Sequence, residues 1–232
     1  MIDGGQLPLG LRWPPQQSFD YFVAAGNALA LAACQHAANE TGAPWVVLLG
    51  TRGSGKTHLL LAACQQASRA ELGAQYLPLR DLPEPRAAAI RGGGGRALIA
   101  VDDVDAIKGD SDAEHALFEL YNRRRDTGET VLFSASQPLA SSGLQLPDLL
   151  SRLGMCTQLA LQPLDEAARR SLLRERAAAR GMSLEDDVLD WLFRHHPRDM
   201  TSLSALLEKL DHASLAAHRR ITIPFLRDFL RR

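Results

Sequence analysis

The stretch "PWVVLLGTRGSGKTHLLLAA", Pro44 to Ala63, constrains this chain more than any other. Its first seven residues form a short β-rich apolar run bounded by Pro and Gly, which reads as a buried strand. From Lys56 to Arg69 the composition reads as a helix. Between the two, Gly50, Thr51, Arg52, Gly53, Ser54, Gly55, Lys56 and Thr57 match G-x-x-x-x-G-K-[ST] in full. Glycines let such a backbone curl so that successive N–H groups point at phosphate oxygens. The helix N-terminus adds its partial positive charge. Lys56 is expected to reach the β- and γ-phosphates, and the Thr57 hydroxyl to ligate Mg²⁺. The loop therefore predicts a site for a nucleoside di- or triphosphate.

A second apolar run, "ALIAVDDVD", ends in acids. Downstream of a phosphate loop, such a strand places Asp102 beside the Mg²⁺ held at Thr57. Asp103 would orient or deprotonate a water, and Asp105 reads as a solvated residue at a helix start. A third strand, "VLFSASQP" (Val131 to Pro138), ends in small polar residues. If it lies between the two motif strands, Ser136 or Gln137 would touch the γ-phosphate or its water. An ordinary strand-to-turn transition explains the same residues equally well.

Composition narrows the class. With 232 residues, 46% of them hydrophobic, the chain can bury a real core. A formal net charge of -1 gives no overall footprint for nucleic acid. Cys34, Cys64 and Cys156 are scattered and fit buried thiols in a reducing cytosol better than disulfides or a metal site. No apolar run approaches the roughly 18 residues of a membrane helix. The start "MIDGGQLPLGLRWPP" has no basic end followed by an apolar core, so it does not read as a signal peptide. A soluble, cytoplasmic protein is expected.

The grammar of the chain divides it into three. Residues 1–18 carry three of the 12 prolines and read as an extended arm. Residues 19–162 alternate strands and helices, the pattern of an α/β domain with a parallel sheet. After Pro163 strand signals almost vanish. Leu203, Leu206, Leu207 and Leu210 fall at helical spacing, and Ser183 with Asp186 reads as a capping box. Residues 163–232 thus predict a small helical lid. Arg152, in "LPDLLSRLG", and Arg198, in "HHPRDMTSL", stand in short helical settings where a lone arginine is usually a surface charge.

The combination of phosphate loop, Asp-Asp strand end, polar third strand, Ser-Arg-Leu helix and helical lid resembles the AAA+ ATPases, and more narrowly their DnaA branch. "FDYFVAAGNALALAA" (Phe19 to Ala33) is similar to the segment opening the DnaA nucleotide domain, whose aromatic turn covers the adenine. "GSGKTHLLLAA" matches that branch including His58. The chain ends at "ITIPFLRDFLRR", where DnaA continues into a helix-turn-helix domain, so no direct sequence-specific DNA binding is expected. "ELYNRRRDTG" and "LQPLDEAAR" are similar to the regulatory members of the branch, which inactivate DnaA.

That resemblance implies specific roles. Arg152 would be an arginine finger acting in trans on a neighbouring DnaA subunit, and Arg198 the sensor arginine of the lid. "GQLPLGL" (Gly5 to Leu11) resembles the peptide that docks on the DNA polymerase III sliding clamp, the β subunit. Gln6 would anchor it, with Leu7, Leu9 and Leu11 in an apolar pocket. The partners implied are DnaA and that clamp, with a homo-oligomer also open. A self-assembling ATPase and a helicase-loader-type adaptor are the rival readings, and the chain's own turnover stays undetermined at this stage.

Overall fold

A computed structural model describes residues 17–230 apart from 94, 199 and 218–220. The arm residues Gln6, Leu7, Leu9 and Leu11 lie outside the described residues. The chain divides into two compact units, with the break between Gln162 and Pro163.

The first unit alternates α1 (Ala28–Asn39), β1 (Val46–Leu49), α2 (Lys56–Arg69), β2 (Ala74–Pro78), α3 (Arg86–Arg91), β3 (Leu98–Asp102), α4 (Ser111–Thr127), β4 (Thr130–Ala135), α5 (Pro147–Gly154) and β5 (Thr157–Ala160). The five strands form one sheet in the order β2-β3-β4-β1-β5, and every pairing is parallel. Successive side chains of a strand face opposite sides, and that parity sorts the core. Val46, Leu48, Leu98, Ala100 and Leu132 pack with Cys34, Leu59 and Leu60 of α1 and α2. Val47, Ile99, Val101, Val131 and Phe133 pack with Ile90, Leu117, Leu120 and Leu149 of α3, α4 and α5. Helices therefore cover both faces, which is why β3 and β4 are buried throughout and read as continuous apolar runs. The edge strands β2 and β5 are partly open.

The order of strands matters more than their existence. β4 inserts between β3 and β1, so the carboxyl ends of all three share one rim, with Leu49 opposite Ala135 and Val101 opposite Phe133. The ladder runs on past the strands, since the Gly50 amide donates to the Ala135 carbonyl at 3.2 Å. The glycine-rich loop, Asp102 and the polar end of β4 thus meet at the crevice outside the carboxyl ends of the strands, where open α/β sheets bind ligands.

The second unit holds α6 (Glu166–Ala178), α7 (Asp186–His195), α8 (Met200–Ala217) and α9 (Ile223–Leu230). Leu203, Leu206, Leu207 and Leu210 all enter its core with Leu173, Leu192 and Phe193. Asp165 caps α6 by accepting from the Ala168 amide at 2.7 Å. The expected capping box on α7 does not form. Glu185 occupies the N-cap, and the Ser183 hydroxyl donates to the Glu185 carboxylate at 2.9 Å instead. The helix starts too late for Ser183 to reach its amides. All three cysteines are buried free thiols, and burial pushes Cys34 up to about 12 and Cys156 up to about 11. Among the described residues no helix is long and apolar enough to cross a membrane.

Candidate nucleotide site

The loop between β1 and α2 takes the shape its glycines permit. Gly53 and Gly55 adopt φ values of 81° and 101°, a region closed to most side chains. Gly55 is required twice over, because a Cβ there would stand 2.8 Å from the Phe22 ring. Phe22 belongs to the aromatic turn after Ser18 and also packs against His58, with ring centroids 5.5 Å apart. A His58 ring nitrogen meets the Ser18 carbonyl at 2.8 Å. Asn27 fastens the next segment, giving and taking one hydrogen bond with the Gln162 backbone at 2.9 and 2.7 Å.

Lys56 is buried at the first position of α2, and its ammonium donates to the carbonyls of Gly50 at 2.7 Å and Thr51 at 3.2 Å. Burial lowers its pKa from the ordinary value, and the carboxylates of Asp103, Asp102 and Asp105 draw it partly back. Ser54 has a buried hydroxyl with no hydrogen-bond partner among the described residues. An ammonium satisfied only by the loop's own carbonyls, an orphaned hydroxyl and the start of a helix together suit an anionic group. Thr51, Arg52 and Thr57 are exposed.

Asp102, only 4% exposed, is the centre of the polar network. Its Oδ2 accepts from the Thr57 hydroxyl and from the Tyr76 hydroxyl, each at 2.7 Å. Its Oδ1 accepts from the Ser134 hydroxyl. Strand parity explains the gathering: Tyr76, Asp102 and Ser134 follow Ala74, Ala100 and Leu132, all on the face that carries α2. Thr57 with Asp102 supplies the hard oxygen donors that Mg²⁺ prefers.

Asp103 follows in a left-handed conformation, φ 58° and ψ 57°, which Asp tolerates better than most residues. Its amide donates to the Ser134 hydroxyl at 2.9 Å, and its carboxylate accepts from Arg80 Nε at 2.8 Å. Asp105 departs from its reading as a solvated residue. It does begin a 3-10 turn, Val104–Ile107, but is buried there and binds Ser136 through both the amide, at 2.9 Å, and the hydroxyl. Burial alone would raise its pKa. The Ser136 bonds, its own amide and Arg80 outweigh that and hold it below the ordinary carboxylate value. The Ser136 hydroxyl is thus held by Asp105, and Gln137 beside it is half-buried.

Arg152 sits on α5, whose first residue is Pro147 and whose Leu149 and Leu153 are fully buried. Its guanidinium makes no hydrogen bond or ion pair with any described residue, in contrast to Arg80, Arg91 and Arg124. Glu114 of α4, 1% exposed, holds the chain leading into α5. Its carboxylate accepts from the amides of Gln145 at 2.8 Å, Leu146 at 2.7 Å and Gly109 at 3.1 Å. Arg198 lies in the second unit just before α8, where it pairs with Glu166 at 3.6 Å.

The sequence patterns missed Tyr76, Ser134, Arg80 and Glu114. Ser134 stands in the polar third strand but was passed over for Ser136 and Gln137, the other three stand in no motif, and only the strand order and register bring the first three beside the acids. A buried glutamate in an amphipathic helix was the one visible signal for Glu114.

A parallel sheet in this order, with a glycine-rich loop after β1, acids at the end of β3 and a separate helical unit later in the chain, is an AAA+ fold. The structure is similar to domain III of the Thermotoga maritima replication initiation protein DnaA, at 23% identity and a TM-score of 0.76, covering 91% of this chain and 94% of that one. It is similar to AMPPCP-bound DnaA from Aquifex aeolicus at 19% identity and a TM-score of 0.68, covering 86% of this chain and 66% of the DnaA chain. It is also similar to the Thermotoga maritima RuvB Holliday junction branch migration motor, at 17% identity and a TM-score of 0.65, covering 93% of this chain and 71% of that one. Within that class the resemblance sharpens: residues 165–230 match the family model of the Hda lid domain, and the chain is similar to Hda as a DnaA-related AAA+ protein.

Proposed function

We propose that this chain is a regulator of replication initiation that binds ADP or ATP with Mg²⁺, docks on the sliding clamp through Gln6, Leu7, Leu9 and Leu11, and promotes hydrolysis of DnaA-bound ATP through Arg152. The observation that carries the reading is the match of residues 165–230 to the Hda lid domain in a chain that also carries the full G-x-x-x-x-G-K-[ST] sequence at residues 50–57. Support for the nucleotide comes from Lys56 and Ser54, whose polar atoms have only neutral loop acceptors or none. In this reading Gly50 to His58 hold the phosphates, Thr57 and Asp102 the metal, and Arg198 of the lid and Ser136 serve as sensors.

The metal ion would neutralise phosphate charge. The chain's own residues do the rest. Lys56 offers a positive charge in a half-dry setting where it is worth more than in water. Asp103 is the group that would orient water, yet Arg80 holds its carboxylate, so in this reading the chain's own nucleotide turns over slowly. Arg152 carries a planar fork of donors that stays charged at any physiological pH and suits phosphate oxygens bidentately. Without a hydrogen-bond or ion-pair partner among the described residues, it is available to a nucleotide on another subunit.

The test is single-turnover hydrolysis of ATP preloaded on DnaA, with DNA-loaded clamp and this protein added. Wild type should accelerate hydrolysis, and Arg152→Ala should abolish the acceleration while retaining nucleotide binding and clamp binding. Acceleration by Arg152→Ala within a few-fold of wild type would sink the mechanism. Replacing Gln6, Leu7 and Leu9 by Ala should remove clamp binding and spare the folded units.

A further inference from the structure

We propose that Tyr76 is a positioning residue for the metal-binding carboxylate, holding Asp102 so that Thr57 presents its oxygen to the divalent cation that accompanies the nucleotide. The proposal rests on the nucleotide-binding part of the reading above, and not on DnaA or the clamp.

The geometry is a short relay. Thr57 has a single hydroxyl proton, and it donates that proton to Asp102 Oδ2 at 2.7 Å. Both Thr57 lone pairs are thereby left for a cation. The direction of those lone pairs depends on where Oδ2 sits, and the Tyr76 hydroxyl donates to the same oxygen at 2.7 Å. Ser134 holds the other oxygen, so neither end of the carboxylate can swing. A phenol hydroxyl facing a carboxylate oxygen at this distance acts as the donor. Tyr76 reaches Asp102 because β2 is the neighbour of β3 and the parities match. Tyr76 stands opposite Ala100, one pleat before Asp102, and the length of its ring spans the difference. Packing alone would be met by phenylalanine. The hydroxyl is what needs an explanation, and a polar group that orients a metal ligand is commonly worth about 10- to 100-fold in metal affinity.

The test compares ADP affinity with Mg²⁺ and with EDTA, by calorimetry, for wild type, Tyr76→Phe and Asp102→Asn. Wild type should gain affinity from Mg²⁺. Tyr76→Phe should lose about 10-fold of that gain while its affinity in EDTA stays within about twofold of wild type. Asp102→Asn should lose the whole gain. If Tyr76→Phe keeps the full gain while Asp102→Asn loses it, Tyr76 serves packing only and the proposal fails alone. If wild type shows no Mg²⁺-dependent gain, or Asp102→Asn retains it, the metal assignment falls and takes the proposal with it. If wild type binds no ADP at all, the nucleotide reading itself has failed. A measurement on wild type guards against a misfolded variant: Mn²⁺ added to the ADP complex should broaden the Tyr76 ring resonances, and unbroadened resonances overturn the proposal.

Discussion

The sheet rim and helix α5 belong to the same unit and treat their charged groups in opposite ways. On the rim Lys56 is engaged by two loop carbonyls, Asp102 by three hydroxyls, Asp103 by Arg80 and Asp105 by Ser136. On α5, Arg152 has no such partner among the described residues, although Leu149 and Leu153 anchor its helix in the core and Glu114 anchors the chain entering it. A network closed on itself resists rearrangement, because each donor that leaves strands a buried acceptor. A cation held on a rigid helix without an acceptor is ready to meet one that arrives from outside. The contrast is what the proposed action of Arg152 on a neighbouring nucleotide requires.

The largest effect should come from α5. An arginine finger is worth about 10³ to 10⁵ in rate, and an ordinary surface arginine almost nothing. Arg152→Lys should fail nearly as badly as Arg152→Ala in single-turnover hydrolysis on DnaA, because a point charge does not reproduce the fork. Full activity in the lysine variant would place the two regions on the same footing.

Lys56→Ala strikes the rim. It removes the loop's ammonium, and hydrogen bonds to charged groups contribute about 1.5–3 kcal/mol. ADP affinity should fall roughly 10- to 100-fold, and nucleotide should raise the melting temperature less. Unchanged nucleotide-dependent stabilisation would remove the rim from the account.

Glu114→Gln tests whether α5 is held as firmly as the contrast requires. The amide replaces a buried acceptor of three backbone N–H groups with one that also carries donors, at a cost of about 2 kcal/mol. The melting temperature should drop by about 4–8 °C. Stimulation of DnaA should fall as well, and in the Arg152→Ala background the same change should produce no further loss of rate. A further loss there would mean that Glu114 acts by some other route.

Arg80→Ala should do least to stability. The side chain is 60% exposed, and a pair of that kind contributes below about 1 kcal/mol. Its value is diagnostic. Freed from Arg80, Asp103 should let the chain's own ATP turn over faster, measured by phosphate release without DnaA. No increase would show that the ion pair does not restrain that carboxylate.

Much of this was legible before any coordinates. The glycines at 53 and 55, the span of α2 from Lys56 to Arg69 and the core positions Leu203, Leu206, Leu207 and Leu210 follow from local rules of backbone freedom and period. The failures are instructive. Asp105 read as solvated because a residue at a helix start is usually at the surface; in the folded chain it is buried within the 3-10 turn and bound by Ser136. Ser183 read as a cap because its spacing to Asp186 was right, yet the helix begins after Glu185.

Local sequence determined the glycine-rich loop, the two apolar strands that flank the candidate site and the helical character of the described elements after Pro163, because steric limits, side-chain period and capping act over a few residues. Which side chains serve Asp102 was decided only by tertiary structure. Tyr76 and Ser134 stand 26 and 32 positions from Asp102 in sequence. They meet it because the sheet takes the order β2-β3-β4-β1-β5 and the strands pair in one register. Register is set by burying apolar faces across the whole sheet at once, and a shift of one residue would turn each of these hydroxyls to the opposite side.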